Sequence, residues 1–94
     1  MPDTKPNVKL IDHFAHWCGP CKAMEPVFEE IEKDYKGKVE FEKVDVDKEV
    51  ERANAAGIMS IPTIHIVKDD RVVQVLIGYQ SKEDLTKHLN AALA

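Results

Sequence analysis

Two cysteines, Cys18 and Cys21, stand two residues apart in the stretch His16-Trp17-Cys18-Gly19-Pro20-Cys21-Lys22. Such a pair can serve as a structural disulfide, as half of a metal site, or as a reversible redox couple. A disulfide across so short a loop removes little entropy from the unfolded chain, which makes it a poor brace. A lone C-x-x-C also lacks the second, well-separated ligand pair that closes a tetrahedral zinc site. His13 and His16 lie close in sequence, but alternation along a strand should point His13 away from the cysteines. The redox couple is therefore the leading reading and no metal is expected, with a zinc module and a redox-inert binding domain as the rivals.

The elements around the pair decide whether it can be reactive. "VKLIDHF" (8–14) reads as a buried strand. "CGPCKAMEPVFEEIEKDYKG" follows as a helix, with Met24, Val27, Phe28 and Ile31 at helical spacing and Gly37 as its stop. The cysteines thus fall at a strand-to-helix junction, where unpaired backbone N–H groups and about half a positive charge gather. A thiolate there is stabilised, and Cys18, at the very start, is the expected nucleophile. Cys21 lies one turn further on the same side of the helix. Pro20 pre-sets the helical φ, and its missing N–H costs little in a first turn.

The remaining chain supplies the frame. "VEFEKVDV" (39–46) alternates as a strand, and "KEVERANAAG" (48–57) reads as a short helix. "TIHIV" (63–67) and "RVVQVLI" (71–77) are β-branched runs joined as a hairpin. Ser81-Lys82-Glu83-Asp84 is a capping-box start for a last amphipathic helix through Leu85, Leu89 and Leu93. The order βαβαββα predicts an α/β fold: a mixed four-stranded sheet with three flanking helices.

Ninety-four residues allow one domain, read as a tail at 1–7 and a folded unit at 8–94. A net charge of −4 argues against nucleic acid, which calls for a basic surface. The N-terminus has no basic region followed by an apolar run, and no stretch reaches the ~18 apolar residues of a membrane span. A cytoplasmic protein without membrane association is expected, and in that reducing compartment a cysteine pair is more often catalytic than structural.

Two charged residues interrupt strand-like segments: Asp12 in "LIDHF" and Lys43 in "FEKVDV". One reading sets a buried Asp12 behind Cys21, handling its proton during thiol–disulfide exchange, with Lys43 on the neighbouring strand. The other makes them a partly exposed ion pair.

"WCGPC" with Asp12 six residues before the first cysteine, Pro26 in the next helix, "GIMSIPT" (57–63) and Gly78 after the last strand together resemble the thioredoxin family. The similarity runs from about Val8 to the C-terminus. It implies a thioredoxin-like fold and a protein-disulfide reductase, cycling through Cys18 and Cys21 without a cofactor and recycled by a thioredoxin reductase. It implies that Pro62 is cis and lies against the cysteines, and that Ile61 offers backbone groups to an extended substrate segment. Trp17, Gly19, Pro20 and Gly78 complete the implied contact surface for disulfide-containing proteins, and the resemblance favours the proton-transfer reading of Asp12 and Lys43. The chain is expected to act as a monomer.

The sequence also departs from that family. Only seven residues precede Val8, too few for the strand and helix that usually come first. Strand 39–46 should then be an edge, and the sheet face carrying His13 should be partly solvated. His65 reads as half-exposed, and His16 as exposed near the cysteines.

Overall fold

Strand β1 (Val8–Phe14) lies inside a four-stranded sheet ordered β2-β1-β3-β4 in the computed structural model, which describes residues 6–94. It pairs in parallel with β2 (Glu40–Asp45) and antiparallel with β3 (Thr63–Lys68), which forms a hairpin with β4 (Arg71–Ile77). The parallel step needs a crossover, supplied by helix α1 (Gly19–Asp34). Helix α2 (Val50–Ala55) leads from β2 towards β3, and α3 (Lys82–Leu93) closes the chain. The expected βαβαββα order and mixed sheet are both present, with β2 at an edge.

One face of the sheet is covered because its side chains match the spacing of two helices. Leu10 of β1, Ile64 and Ile66 of β3 and Leu76 of β4 form one core with Met24, Phe28 and Ile31 of α1 and Leu85 and Leu89 of α3. Residues 24, 28 and 31 recur at the helical period, so α1 lays one continuous stripe on the sheet even though Pro26 sits within it. Ser81 accepts the Asp84 N–H at 3.1 Å while Asp84 accepts the Ser81 N–H at 3.4 Å, the reciprocal cap predicted for α3. Asp69 and Asp70 turn the hairpin with φ of 51° and 66°, a conformation that aspartate tolerates where glycine would be at ease.

The opposite face corrects the expectation for His13. That residue is 2% exposed, against 0% for Leu10, so it is not solvated. Its Nδ1–H donates to the Thr63 carbonyl at 2.9 Å, and its ring meets His65 edge-on with centroids 4.8 Å apart. His65 is likewise buried rather than half-exposed. A polar ring can be enclosed once its donor is satisfied and its faces are packed. Solvent reaches this side of the sheet instead at β4, where Val75 and Ile77 are exposed. The predicted tail at 1–7 lies mostly outside the described residues; Asn7 accepts the Asp69 N–H at 2.9 Å.

The buried histidines make stability depend on acid. Burial pushes both below the usual histidine range, and the His13 charge lowers His65 further. A group depressed in the folded state contributes stability above its unfolded value, near 6.5, and loses it as pH falls through the folded value. His13→Phe discards the Thr63 hydrogen bond but also the protonation penalty. Its unfolding free energy relative to wild type is therefore expected to improve between pH 7.5 and pH 5, measured by urea titration. A difference that stays constant across that range would show that His13 carries no such penalty.

Candidate active site

The β1–α1 junction places the cysteines through a tight turn. Cys18 N–H donates to the Ala15 carbonyl at 3.2 Å, leaving His16 and Trp17 at the tip. Cys18 then caps α1 from an extended conformation, with φ −85° and ψ 114°. Its Sγ accepts the backbone N–H of Cys21 at 3.1 Å, taking the position where serine or aspartate usually satisfies an orphan donor. Cys18 and Cys21 form a disulfide with Cα atoms 5.2 Å apart. Both sulfurs are enclosed with Ala15, against Phe14, Val46 and Ile61. Gly19 and Pro20, by contrast, are exposed in the first turn of the helix.

A second loop meets this junction from β3. The Ile61–Pro62 peptide bond is cis, as the resemblance implied, and Pro62 is fully buried. Thr63 Oγ1 donates to the Ser60 carbonyl at 2.6 Å, and the Pro62 carbonyl accepts the Gly78 N–H at 2.8 Å. Gly78 has φ +89°, which any residue with a Cβ would adopt only under strain. Beside this loop runs a groove of about 270 Å³ whose walls include Trp17, Val50, Ile58, Met59 and Ile61. Trp17 is 70% exposed and Met59 is 96% exposed, so the groove has apolar lips facing water.

Asp12 lies on the face of β1 that α1 covers, between Leu10 and Phe14. It is 3% exposed, and its Oδ1 has no hydrogen-bond partner. Burial raises its carboxyl from 3.8 to about 6; Lys43 pulls it down, and Glu25 pushes it up. Lys43 stands opposite Asp12 in the parallel ladder. Its Nζ sits over the rings of Phe14 and Phe28, at 4.6 and 5.6 Å from their centroids. Burial thus falls on one member of the pair alone: Asp12 is enclosed, while Lys43 is exposed with its Nζ over aromatic faces.

Two residues went unrecognised in the sequence. Asp47 Oδ2 accepts the Trp17 indole N–H at 2.8 Å, and Asp45 Oδ2 lies 3.2 Å from His16 Nε2. Their signal is present in "VDVD" (44–47), two carboxylates at alternate positions where a strand ends. Val50 was also missed as a groove wall, because nothing in the sequence says which exposed apolar residues share a surface. His13 points to the far side of the sheet, and among the described residues no group of three or more His, Cys, Asp or Glu is placed to hold a metal ion.

Comparison with known proteins agrees with this geometry. A family model described as Thioredoxin matches residues 3–91. The thioredoxin of Bacillus subtilis (strain 168) is 42% identical over 91 residues, covering 97% of this chain and 88% of that protein. The thioredoxin of Staphylococcus aureus (strain Mu50) is 44% identical over 87 residues, covering 93% of this chain and 84% of that protein. Among solved structures, a mutant thioredoxin from Halobacterium salinarum superposes with a TM-score of 0.88 at 30% identity, over 97% of this chain and 79% of the other. Plasmodium falciparum thioredoxin gives 0.83 at 34% identity, over 94% and 84%. With a family match along nearly its whole length and the cysteine pair seated at the head of a helix, this chain belongs to the thioredoxin family of thiol–disulfide oxidoreductases.

Proposed function

We propose that the chain reduces disulfides in other proteins, with residues 8–94 as the working unit. The observation that carries this reading is the cap itself: Cys18 Sγ accepts a helix N-terminal N–H at 3.1 Å. The same donor and the helix dipole favour a negative sulfur when the pair is reduced. In the first step the Cys18 thiolate attacks one sulfur of the substrate disulfide. A mixed disulfide forms, and the other substrate sulfur leaves as a thiolate that takes a proton from water. In the second step Cys21 gives its proton to the Asp12 carboxylate and attacks Cys18 Sγ. The second substrate sulfur is expelled, and two electrons have passed to the substrate. The product is the Cys18–Cys21 disulfide.

The supporting groups have matched tasks. A carboxyl raised to about 6 is ionised near neutral pH yet basic enough to accept a proton, which is what a general base requires. Lys43 offsets part of the burial that would otherwise keep Asp12 neutral. Trp17, Gly19, Pro20, Ile61 and Gly78 form the surface on which an extended substrate segment lies, with Pro62 buried beneath it as support and backbone groups of Ile61 available to the segment. A thioredoxin reductase returns the electrons, so the protein serves as an electron carrier that acts as a monomer in the cytoplasm. Among the described residues no helix is long and apolar enough to cross a membrane.

Insulin reduction tests the assignment. With dithiothreitol as donor, the protein is expected to speed precipitation of the insulin B chain, and replacing both Cys18 and Cys21 by serine should abolish the effect. No acceleration by the wild type would support a redox-inert binding role.

A further inference from the structure

The turn tip holds its two side chains in a closed ring of contacts. His16 Nε2 reaches Asp45 Oδ2 at 3.2 Å, and Trp17 Nε1–H donates to Asp47 Oδ2 at 2.8 Å. The acceptors are themselves joined, because Asp45 Oδ1 accepts the Asp47 backbone N–H at 2.9 Å. Adjacent residues on the β1–α1 turn thus grip alternate residues at the end of β2. His16 also meets Phe14 edge-on at 5.2 Å, and Phe14 packs on the cysteine cluster. Asp45 is 8% exposed. A carboxylate that enclosed needs its oxygens occupied, and each has a partner here.

We propose that His16 and Asp45 are positioning residues that hold the Trp17 indole as a fixed wall of the substrate groove. Trp17 is 70% exposed and lacks packing on most of its surface, so its indole hydrogen bond to Asp47 is its main anchor. Asp47 is itself exposed, and its backbone is set by the Asp45 carboxylate, which His16 closes from the other side. The ring transmits order from a buried residue to an exposed one. A fixed wall matters for a polypeptide that lies along the groove, and much less for a small disulfide that meets only the sulfur of Cys18. The clamp thereby favours protein disulfides over small ones.

This inference rests on the disulfide-reductase reading, and the test separates the two. Trp17 is the only tryptophan, so its fluorescence anisotropy decay reports the indole alone. His16→Ala is expected to add a fast component to that decay in the oxidised protein, whether or not the protein turns over. In parallel, the ratio of kcat/KM for insulin to kcat/KM for hydroxyethyl disulfide should fall about two- to fivefold, chiefly through KM, as expected for losing one partly exposed charged contact. His16→Gln, which keeps an N–H donor of similar reach, should restore both readouts in large part. His16 is 72% exposed, so these variants should fold. An unchanged decay, or an equal loss on both substrates, would overturn the proposal. A faster indole in a protein that reduces nothing would leave the clamp standing and remove the reductase reading.

Discussion

Cys21→Ser is expected to halt the reaction midway, leaving the protein covalently joined to its substrate. The variant keeps the Cys18 thiolate at the head of α1, so the first attack proceeds. The hydroxyl that replaces the second sulfur cannot expel the bound thiol, and the mixed disulfide accumulates. Steady-state insulin reduction should fall on the order of 10³-fold or more, as when a nucleophile is removed from an active site. A dithiothreitol-sensitive adduct should appear on a non-reducing gel. Cys18→Ser should lose the same activity but form no adduct, because Cys18 Sγ, and not the sulfur of Cys21, sits at the helix N-cap where a backbone N–H favours the thiolate. Adducts that form through Cys21 and not through Cys18 would reverse the assignment of nucleophile and resolving thiol. Both variants should remain folded, since the three-residue separation of the disulfide contributes little loop entropy.

Asp12→Asn should stabilise the protein while slowing it. The carboxyl moves from 3.8 to about 6 on folding, mainly because burial penalises its charged form. A group raised in this way contributes stability below its unfolded value and loses it as pH rises through the folded value. Ionised Asp12 therefore burdens the folded state at pH 8. About two units correspond to roughly 3 kcal/mol, of which asparagine, neutral at every pH, should recover about 2. The gain should shrink as pH falls and vanish near pH 4. Urea unfolding of oxidised wild type and variant at pH 8, 6 and 4 measures this. The same substitution removes the acceptor for the Cys21 proton, so the mixed disulfide formed with substrate should live longer near neutral pH. Equal stability at pH 8 would mean that Asp12 is better solvated than its burial indicates. An unchanged rate of mixed-disulfide resolution would remove Asp12 from the proton path.

These two results pull in opposite directions from one cause. Under the proposed mechanism, a buried carboxylate whose Oδ1 lacks a partner weakens the fold and suits the chemistry, a local cost accepted where function requires a shifted pKa. The histidines behind the sheet act with the opposite sign, losing stability as pH falls while Asp12 gains it. The acid limb of the stability profile is therefore a balance between the two faces of β1. Single substitutions on either face should unmask the other.

Much of this protein is legible in the local chemistry of its sequence. Period-two and period-3.6 patterns mark the elements, because a residue's face follows from backbone geometry alone. The αL residues Gly37 and Gly57 and the reciprocal Ser81–Asp84 cap mark boundaries for the same reason. The place of Cys18 at a strand-to-helix junction, and its expected role as the more reactive sulfur, require only knowledge of where a helix begins. Helix α2 is shorter than the pattern suggests, Val50–Ala55 against 48–57, since its first residues are spent in turns that hydrogen-bond back to Asp45.

What the sequence by itself determined was the order of elements and the cysteine pair at a strand-to-helix junction, both consequences of spacing within single segments. Tertiary structure alone decided the rest. His13 could be buried only because β3 brought it the Thr63 carbonyl and the His65 ring from fifty residues away. Asp45 and Asp47 became partners of His16 and Trp17 only because parallel pairing set the ends of β1 and β2 side by side. A polar side chain is tolerated or useful according to what meets it in space, and those meetings depend on how distant segments pair rather than on the residue's own neighbours.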